Sequence, residues 1–333
     1  MSDHLDIFGA PDLAPGSPAR PRVTLAVFAY NQQAHVRAAV EGALAQDYDG
    51  PLEIILSDDG SPDETFAVMQ EVARGYAGPH HVRLNRNDPN LGLSAHVNRV
   101  LAMAQGEIIA MAAGDDISLP GRVRETVAAF ARHPQAMAVS FTDIRMDEAG
   151  RVLDTPAPEG PERIIDLEMF LAAGPRAQSR LGLSGASRAF RRAVYERFGD
   201  LLPDCPAEDT PYLRRALYLG SCVRCGWPGI RYRIHTGQMS TPANIATMKA
   251  QVFNAQYLAD LAKLARPGVT DLPLARIRAH IEAEAIEFAL RGLKQSGQPP
   301  DLRLIMRVLP ATGFGMREKL GLSKRFLMRK GLT

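Results

Sequence analysis

Carboxylates occur in two adjacent pairs, each directly after an apolar run about as long as one strand. The first pair is Asp58-Asp59 and the second is Asp115-Asp116. Repulsion within such a pair costs free energy unless a cation or hydrogen-bond donors compensate for it. A hard divalent cation with oxygen ligands, holding a diphosphate, would meet this requirement. The two pairs therefore indicate a site for a divalent cation and a phosphorylated ligand.

Uncharged polar residues follow the first apolar run, where Tyr30 and Asn31 come after Ala29. Such groups suit a nucleotide base and a ribose as hydrogen-bond partners. A dinucleotide-dependent dehydrogenase would need a glycine-rich turn at this point, and residues 29–33 contain no glycine. A nucleotidyltransferase would need a glycine-rich loop bearing Arg or Lys, and a P-loop enzyme would need a Walker A loop. This turn argues against all three classes.

The elements that position these residues alternate between strand and helix. Short β-branched and apolar runs predict strands, and apolar residues at helical spacing predict helices. Predicted strands are 23–29, 52–56, 81–84, 108–112 and 136–141, and predicted helices are 36–44, 61–73, 94–104 and 122–131. The alternation predicts an α/β fold, a mostly parallel sheet covered by helices on both faces. Ligands bind such sheets beyond the carboxyl ends of the strands.

Ser61 is predicted to cap the second helix, with Glu64 completing a capping box. Asp63 between them is either a helix cap of the same kind or part of the ligand site.

Six short blocks follow one another in order between residues 22 and 240. They are Ala29-Tyr30-Asn31, Asp58-Asp59-Gly60-Ser61 with Asp63, Asn90-Leu91-Gly92, Gly114-Asp115-Asp116, Glu208-Asp209 and Tyr232-Arg233-Ile234-His235. With these blocks the chain resembles the inverting family 2 glycosyltransferases of the GT-A fold, which has a Rossmann-like sheet. The resemblance implies an enzyme that transfers a sugar from a nucleotide-diphosphate donor, a UDP-sugar being favoured, to a glycan or lipid-linked acceptor.

The resemblance also implies a role for each matching residue. The residues that it places around the donor nucleotide are Tyr30, Asn31, Asp58, Asp59, Asp63, Asn90, Gly92, Gly114 and Asp116. Asp115 and His235 match the ligands of a divalent metal, Mn²⁺ or Mg²⁺, and Asp209 matches the catalytic base. Gly185 and Glu208 match the loop that borders the donor sugar and the acceptor.

Other interpretations of these residues stay open. Asp209 precedes a predicted helix, where aspartate is a common cap, and His235 could be structural. Trp227, the only tryptophan, could stack on an acceptor sugar or pack in the core. Ala113 stands where the fuller form of the metal-binding segment has a second aspartate. A catalytically degenerate domain that binds nucleotide or glycan without turnover is therefore the alternative function.

The predicted organisation has three parts. Residues 1–20 are a disordered leader, residues 21–240 are the glycosyltransferase domain, and residues 241–333 are a helical extension with a basic tail. Within the domain, residues 21–143 are the nucleotide-binding half and residues 144–240 the acceptor-side half. No nucleic-acid recognition motif occurs, and nucleic acid is not an expected partner.

The tail from residue 301 onward carries eight basic and two acidic residues, a net charge of +6, with apolar residues between them. Such a segment suits the surface of an anionic membrane, or it is the solvated face of a helix. The sparse cysteines and the lack of a secretory signal predict a cytoplasmic protein, with peripheral contact at the inner face of the plasma membrane. A polysaccharide biosynthesis pathway is the expected setting by resemblance.

Overall fold

The computed structural model describes residues 5–6, 20–155, 160–241, 250–264, 272–295, 303–304 and 306. The chain forms two compact units. One comprises Met1–Asp166 and Gly182–Gln238, and the other comprises Leu167–Leu181 and Met239–Thr333. The domain boundaries predicted at residues 20, 143 and 240 stay predictions. Residues 167–181, which they place in the acceptor-side half, group with the C-terminal residues.

The first unit is built on one eleven-stranded sheet. Its strands are β1 (Leu5–Asp6), β2 (Val23–Ala29), β3 (Leu52–Asp58), β4 (His81–Arg86), β5 (Ile108–Ala113), β6 (Ile117–Ser118), β7 (Ala136–Met146), β8 (Val152–Asp154), β9 (Arg163–Ile165), β10 (Ala189–Arg191) and β11 (Ser221–Arg233). Their order is β1-β4-β3-β2-β5-β10-β7-β11-β6, with β8 on β7 and β9 on β11. β1 lies in the predicted disordered leader and pairs with β4.

The helices of this unit follow the strands in sequence. They are α1 (Val36–Leu44), α2 (Thr65–Arg74), α3 (Leu93–Met103), α4 (Arg122–Arg132), α7 (Arg192–Phe198) and α8 (Asp209–Leu219). Strands β4, β3, β2 and β5 are parallel neighbours, and every residue of β3 is buried. Continuous apolar runs are expected in strands covered on both faces. The five predicted strands and four predicted helices are present, but β7 extends five residues beyond its predicted end and α2 begins four residues after its predicted start.

Strand β10 runs antiparallel between β5 and β7. Ala189 pairs with Ala110 of β5 on one side and with Val139 of β7 on the other. β5 and β7 therefore end at the same edge of the sheet, and β10 begins there. The sequence analysis did not predict this strand.

The predicted start of α2 is wrong. The helix begins at Thr65, and Glu64 precedes it without a side-chain capping bond. The Ser61 hydroxyl instead donates to Asp58 Oδ1, and the Ser61 N–H donates to Asp58 Oδ2 at 3.0 Å. A buried carboxylate needs these donors, and it takes Ser61 away from the helix.

The second unit contains α5 (Leu167–Ala172), a 3₁₀ turn (Gly174–Arg176), α6 (Ala177–Arg180), α9 (Ala250–Leu264) and α10 (Leu274–Gln295). Arg276 on α10 pairs with Glu168 on α5 at 2.8 Å, and the rings of His280 and Phe170 are 5.3 Å apart. The helix predicted near residues 274–294 is confirmed. The helix start predicted at Thr241-Pro242 lies at the limit of the described residues, and most of the basic tail lies outside them.

Among the described residues, no helix has both the length and the apolar character needed to cross a membrane.

Candidate active site

The residues after β2 lie open at the edge of the sheet. Half of the Tyr30 side chain is exposed, and Asn31 takes a left-handed conformation with φ of 55°. The Asn31 N–H donates to Ser61 Oγ at 2.8 Å, and the Gly114 N–H donates to the Phe28 carbonyl at 2.8 Å. Because β2 lies between β3 and β5, these contacts join the ends of three parallel strands.

Asp58 is fully buried at the end of β3. Its carboxylate is held by Ser61 and by Arg86, whose Nε lies 3.6 Å from Oδ2. Burial raises the pKa of Asp58, against the opposing effects of the Ser61 hydrogen bonds and of Arg86. The protein thus supplies the partners of this carboxylate.

Asp59 organises the loop before α3. Its Oδ1 accepts from Asn87 Nδ2 at 2.8 Å and from the Leu91 N–H at 3.1 Å. Its Oδ2 accepts from the Gly92 N–H at 2.9 Å and from Asn90 Nδ2 at 3.0 Å. One buried carboxylate therefore fixes the Asn90-Leu91-Gly92 block against the end of β3.

Gly92 precedes α3 with φ of 79°, a conformation that a side chain disfavours. Within the part of the chain that the structure describes, no atom lies within 4 Å of the position that a Cβ would occupy there. The backbone of this block thus borders open space.

Asp63 acts locally at the start of α2. Its Oδ1 accepts from the Thr65 N–H at 3.0 Å and from Thr65 Oγ1 at 2.5 Å, and Oδ2 accepts from the Gln33 N–H at 3.1 Å. These hydrogen bonds outweigh partial burial and lower the pKa of Asp63. Capping is one of the two interpretations of Asp63 that the sequence left open.

Asp115 and His235 form a pair across the site. Asp115 Oδ2 lies 3.0 Å from His235 Nε2, and about one-tenth of each side chain is exposed. The His35 ring, just before α1, lies 5.0 Å from the His235 ring. Burial and, after it, the positive charge of Arg233 lower the pKa of His35. The structure brings together the two residues expected to bind a metal, although they are 120 positions apart.

The donor set of this pair suits a divalent cation completed by substrate oxygens. One carboxylate and one imidazole provide two ligands, which leaves coordination positions for phosphate. Among the described residues, no cluster of three or more His, Cys, Asp and Glu side chains could hold a metal ion. A metal bound here would therefore depend on its ligand for most of its coordination.

Asp116, next to Asp115 in the sequence, is buried. Its Oδ1 accepts from the Arg233 N–H at 2.8 Å, while Arg233 Nε donates to the Asp115 carbonyl at 2.9 Å. Burial and the neighbouring Asp115 charge raise the pKa of Asp116 well above its usual range. Asp116 thus connects β11 to the Asp115 turn, and sequence reasoning had not singled out Arg233 for this contact.

Asp209 is the first residue of α8, and Gly185 lies against it. Asp209 Oδ1 accepts from the Thr210 N–H at 2.7 Å. A Cβ on Gly185 would lie 2.3 Å from Asp209 Oδ2 and 2.7 Å from Asp209 Cβ. A side chain at position 185 would therefore displace Asp209, and glycine lets the backbone pack directly against this carboxylate.

Arg188 connects the residues around Gly185 to α8. It is almost fully buried, and its guanidinium donates to the carbonyls of Asp209, Leu183 and Ser184 at 2.5, 3.2 and 3.2 Å. Sequence reasoning missed Arg188. The available signal was a charged residue directly before the apolar pair Ala189-Phe190, since a charge in a buried strand needs partners.

Glu208, beside Asp209, is partly buried. Burial and the Asp209 charge raise the pKa of Glu208 to about 7, with Arg188 acting in the opposite direction. The pair therefore carries less than two full negative charges near neutral pH.

Trp227 packs against the core. Its ring centroid is 5.0 Å from that of Phe141, and the partly buried side chain lies against the main hydrophobic cluster. These contacts fit the structural interpretation of Trp227.

A family model described as Glycosyl transferase family 2 matches residues 24–199, more than half of the chain. The chain belongs to glycosyl transferase family 2. The family resemblance seen in the six sequence blocks is thereby confirmed.

The putative glycosyltransferase EpsE of Bacillus subtilis is 32% identical over 130 residues, which are 39% of this chain and 46% of that protein. An uncharacterized glycosyltransferase of Haemophilus influenzae is 23% identical over 232 residues, 67% of this chain and 69% of that protein. The chain spans less than half the length of EpsE and 35% of three uncharacterized mycobacterial relatives.

Two solved structures share the fold. TarS of S. aureus, in complex with UDP-GlcNAc, has a TM-score of 0.58 at 14% identity, covering 82% of this chain and 73% of that chain. The mannosyltransferase PcManGT of Pyrobaculum calidifontis, in complex with GDP-Man and Mn²⁺, has a TM-score of 0.54 at 20% identity, covering 94% of this chain and 86% of that chain. These likenesses confirm the GT-A fold predicted from the sequence.

Proposed function

We propose that this chain is an inverting glycosyltransferase that moves a sugar from a nucleoside diphosphate sugar, with a UDP-sugar favoured, to a glycan or lipid-linked acceptor. The observation that carries the proposal is that the Asp115–His235 pair and Asp209, the first residue of α8, lie at one edge of a mostly parallel sheet. The Asp115–His235 pair offers two ligands for a cation, and Asp209 offers a carboxylate that can accept a proton.

The donor nucleotide would bind along the ends of β2 and β3. Tyr30 presents a half-exposed ring for stacking, and the backbone of Gly92 borders open space. Asp58 and Asp59 are satisfied by protein donors, so they would shape this pocket by holding Ser61 and the Asn90 block. Complexes of TarS with UDP-GlcNAc and of PcManGT with GDP-Man support a nucleotide sugar as the ligand.

Asp115 and His235 would hold Mn²⁺ or Mg²⁺, for which the presence of Mn²⁺ with PcManGT is further support. When bound, the cation would act as a Lewis acid on the diphosphate leaving group. Asp116 and Arg233 would keep the Asp115 turn in place through their mutual hydrogen bond.

Asp209 would take the proton of the acceptor hydroxyl as that oxygen attacks the anomeric carbon from the face opposite the diphosphate. One carboxylate is sufficient for this direct displacement, unlike the pair used by most glycoside hydrolases. The Gly185 backbone and Arg188 hold Asp209 in position, which favours transfer because a base must lie within about 2.6–3.2 Å of the proton that it removes.

The variant Asp209→Asn tests this assignment. Binding of the donor, measured by calorimetry, should be unchanged, while transfer or donor hydrolysis should fall roughly 10²- to 10⁴-fold. Asp154→Asn, on an exposed part of β8, is the matched control and should keep full turnover. Undiminished turnover in Asp209→Asn would exclude it as the base.

A domain that binds nucleotide without turnover is the second candidate. Ala113 at the metal segment and the lack of a three-residue metal cluster among the described residues favour it. Purified wild-type protein with a panel of nucleotide sugars and Mn²⁺ separates the two, because binding without transfer or hydrolysis supports only this second function.

The basic tail supports a peripheral contact with an anionic membrane and, with it, a lipid-linked acceptor. Its net charge of +6 would contribute about 1 kcal/mol per basic residue close to the surface. Deletion of residues 301–333 should abolish sedimentation with phosphatidylglycerol vesicles, and unchanged sedimentation would rule out the tail as the anchor.

A further inference from the structure

Strand β7 carries a carboxylate, Asp143, that the mechanism above leaves unused. Val139 of β7 and Ala110 of β5 pair with the same residue of β10, so the two strands run level. Asp143, four residues after Val139, is therefore level with Gly114, at the start of the Asp115 turn. This position is at the edge of the sheet where the candidate active site lies.

The segment 182–188 joins Asp143 to Asp209. Ser184 Oγ donates to Asp143 Oδ2 at 3.0 Å, and the next residue, Gly185, lies against the Asp209 carboxylate. On the other side, Asp143 is close enough to Asp116 for their charges to interact. Asp143 thus lies between the Asp115 turn and the proposed base.

The second oxygen of Asp143, Oδ1, has no donor in the part of the chain that the structure describes, and the residue as a whole is only partly buried. The Oδ1 atom itself is buried. Burial raises the pKa of Asp143, while the Ser184 hydrogen bond and the charges of Arg122 and Arg224 act in the opposite direction. A buried carboxylate oxygen without a donor is costly, and a ligand hydroxyl would remove that cost.

Arg122 supplies the compensating charge. It is fully buried, and its Nη1 donates to Ser118 Oγ at 2.9 Å while its charge acts on both Asp116 and Asp143. Nε of this guanidinium also has no partner among the described residues. Arg122 thus stabilises the charge of Asp143 from inside the core, while the Asp143 oxygen keeps its capacity to accept a hydrogen bond.

We propose that Asp143, oriented by Ser184, is a specificity-determining residue that accepts a hydrogen bond from a hydroxyl group of the donor sugar. The inference rests on the proposed function. With the diphosphate near Asp115 and the acceptor hydroxyl near Asp209, the sugar ring must lie between them, where Asp143 is placed. A site built around a hydroxyl discriminates strongly against a sugar that lacks it, because its own polar group is then left without a partner.

Asp143→Asn tests the inference, because its effect on the affinity for a nucleotide sugar can be compared with its effect on the affinity for the free nucleoside diphosphate. The probes are UDP-glucose, UDP-galactose, UDP-N-acetylglucosamine and GDP-mannose, with UDP and GDP as sugar-free references, each in Mn²⁺ and measured by calorimetry. For the nucleotide sugar that wild-type protein prefers, affinity should fall roughly 10- to 100-fold, as expected for a hydrogen bond to a charged group. Affinity for the free diphosphate should stay within about twofold.

Two further variants control the experiment. Asp147→Asn makes the same chemical change at a carboxylate that pairs with the exposed Arg151, and it should leave both affinities unchanged. Ser184→Ala keeps the Asp143 charge and removes its orienting donor. It should weaken nucleotide-sugar binding in the same sense by a smaller factor, which keeps the test valid if Asp143→Asn folds poorly.

The outcomes separate this inference from the proposed function. Equal losses for the sugar and the free diphosphate, with a lowered melting temperature, would show that Asp143 is only structural and would overturn the inference. Unchanged affinity for the nucleotide sugar in both variants would also overturn it. If wild-type protein binds no nucleotide sugar at all, the proposed function fails and the inference fails with it.

Discussion

The close approach of Gly185 to Asp209 yields a quantitative prediction for Gly185→Ala. The added Cβ would lie 2.3 Å from Asp209 Oδ2 and 2.8 Å from its Cγ, whereas ordinary contacts begin at 3.4 Å. The carboxylate must therefore move by about 1 Å or rotate away. A misplacement of about 1 Å in a reacting group can lower turnover about 10²-fold. We expect a loss of that size in kcat.

The same substitution should have a moderate effect on folding. Forcing one methyl group into a packed position typically costs about 1–3 kcal/mol. For a domain of this size that corresponds to a melting temperature lower by roughly 2–10 °C. Turnover is measured by release of the nucleoside diphosphate, and donor binding by calorimetry, at a temperature well below the transition.

Gly160→Ala is the matched control, because no atom of the described residues lies within 4 Å of its added Cβ. It should retain wild-type turnover and stability. The reasoning is refuted if Gly185→Ala keeps turnover within about threefold of wild type, since the carboxylate would then have no need of its present position. A loss of donor binding equal to the loss of turnover would show a general disruption of the site instead.

Three further predictions concern buried charges. Arg188→Lys should lower the free energy of unfolding by about 2–4 kcal/mol, because an ammonium group cannot reach all three carbonyls that the guanidinium bonds. Asp59→Asn should lower it by about 2–3 kcal/mol, because an amide NH₂ would face N–H donors. The pKa of Glu208 is raised from 4.5 to about 7 in the folded state. Between these two pH values the folded state holds a proton that the unfolded state has released, so the free energy of unfolding falls as pH rises through this range. Glu208→Gln has no group that titrates at this position. Its free energy of unfolding, compared with that of wild type at the same pH, should therefore increase from pH 5 to pH 8.

Urea unfolding measures all three predictions. Arg151→Lys, at a mostly exposed arginine, is the control for Arg188→Lys and should change stability by less than about 0.5 kcal/mol. Asp154→Asn is the control for Asp59→Asn and should likewise change stability by less than about 0.5 kcal/mol. A stability difference between Glu208→Gln and wild type that does not vary with pH would contradict the raised pKa of Glu208.

The parallel strands of the sheet could be predicted because their sequence pattern is local. Val23–Ala29 is apolar throughout, since both faces of β2 are covered, and its limits agree with the prediction. β10 could not be found in this way. It has three residues, and its position depends on pairing with strands that lie about 50 and 80 residues earlier in the chain. Short strands of this kind are determined by tertiary contacts rather than by their own pattern.

In the candidate site, too, positions that follow from local sequence pattern could be predicted, whereas contacts that depend on tertiary structure could not. The sequence located Asp58 and Asp59 at the end of a strand, where the structure has them, whereas Asp63 lies just before α2. The sequence did not indicate that Ser61, Gly92 and Thr65 donate to them, because those contacts depend on loop geometry. The pairing of Asp115 with His235 was found only through the family resemblance, since no local pattern connects residues so far apart.

Strand β10 also has a consequence for motion. In the described part of the sheet, the strands on the side of β5 and those on the side of β7 are joined through β10 and the residues directly beside it, such as Arg188, whose carbonyl accepts from the Met111 N–H. Ala189 and Phe190 are fully buried, so this bridge opens only when the core around it opens. A ligand that touches both Asp115 and Asp209 would hold the two sides together and slow this opening. Amide exchange at Ala189, Phe190 and Arg191 would therefore report occupancy of the site from a strand that the ligand never contacts.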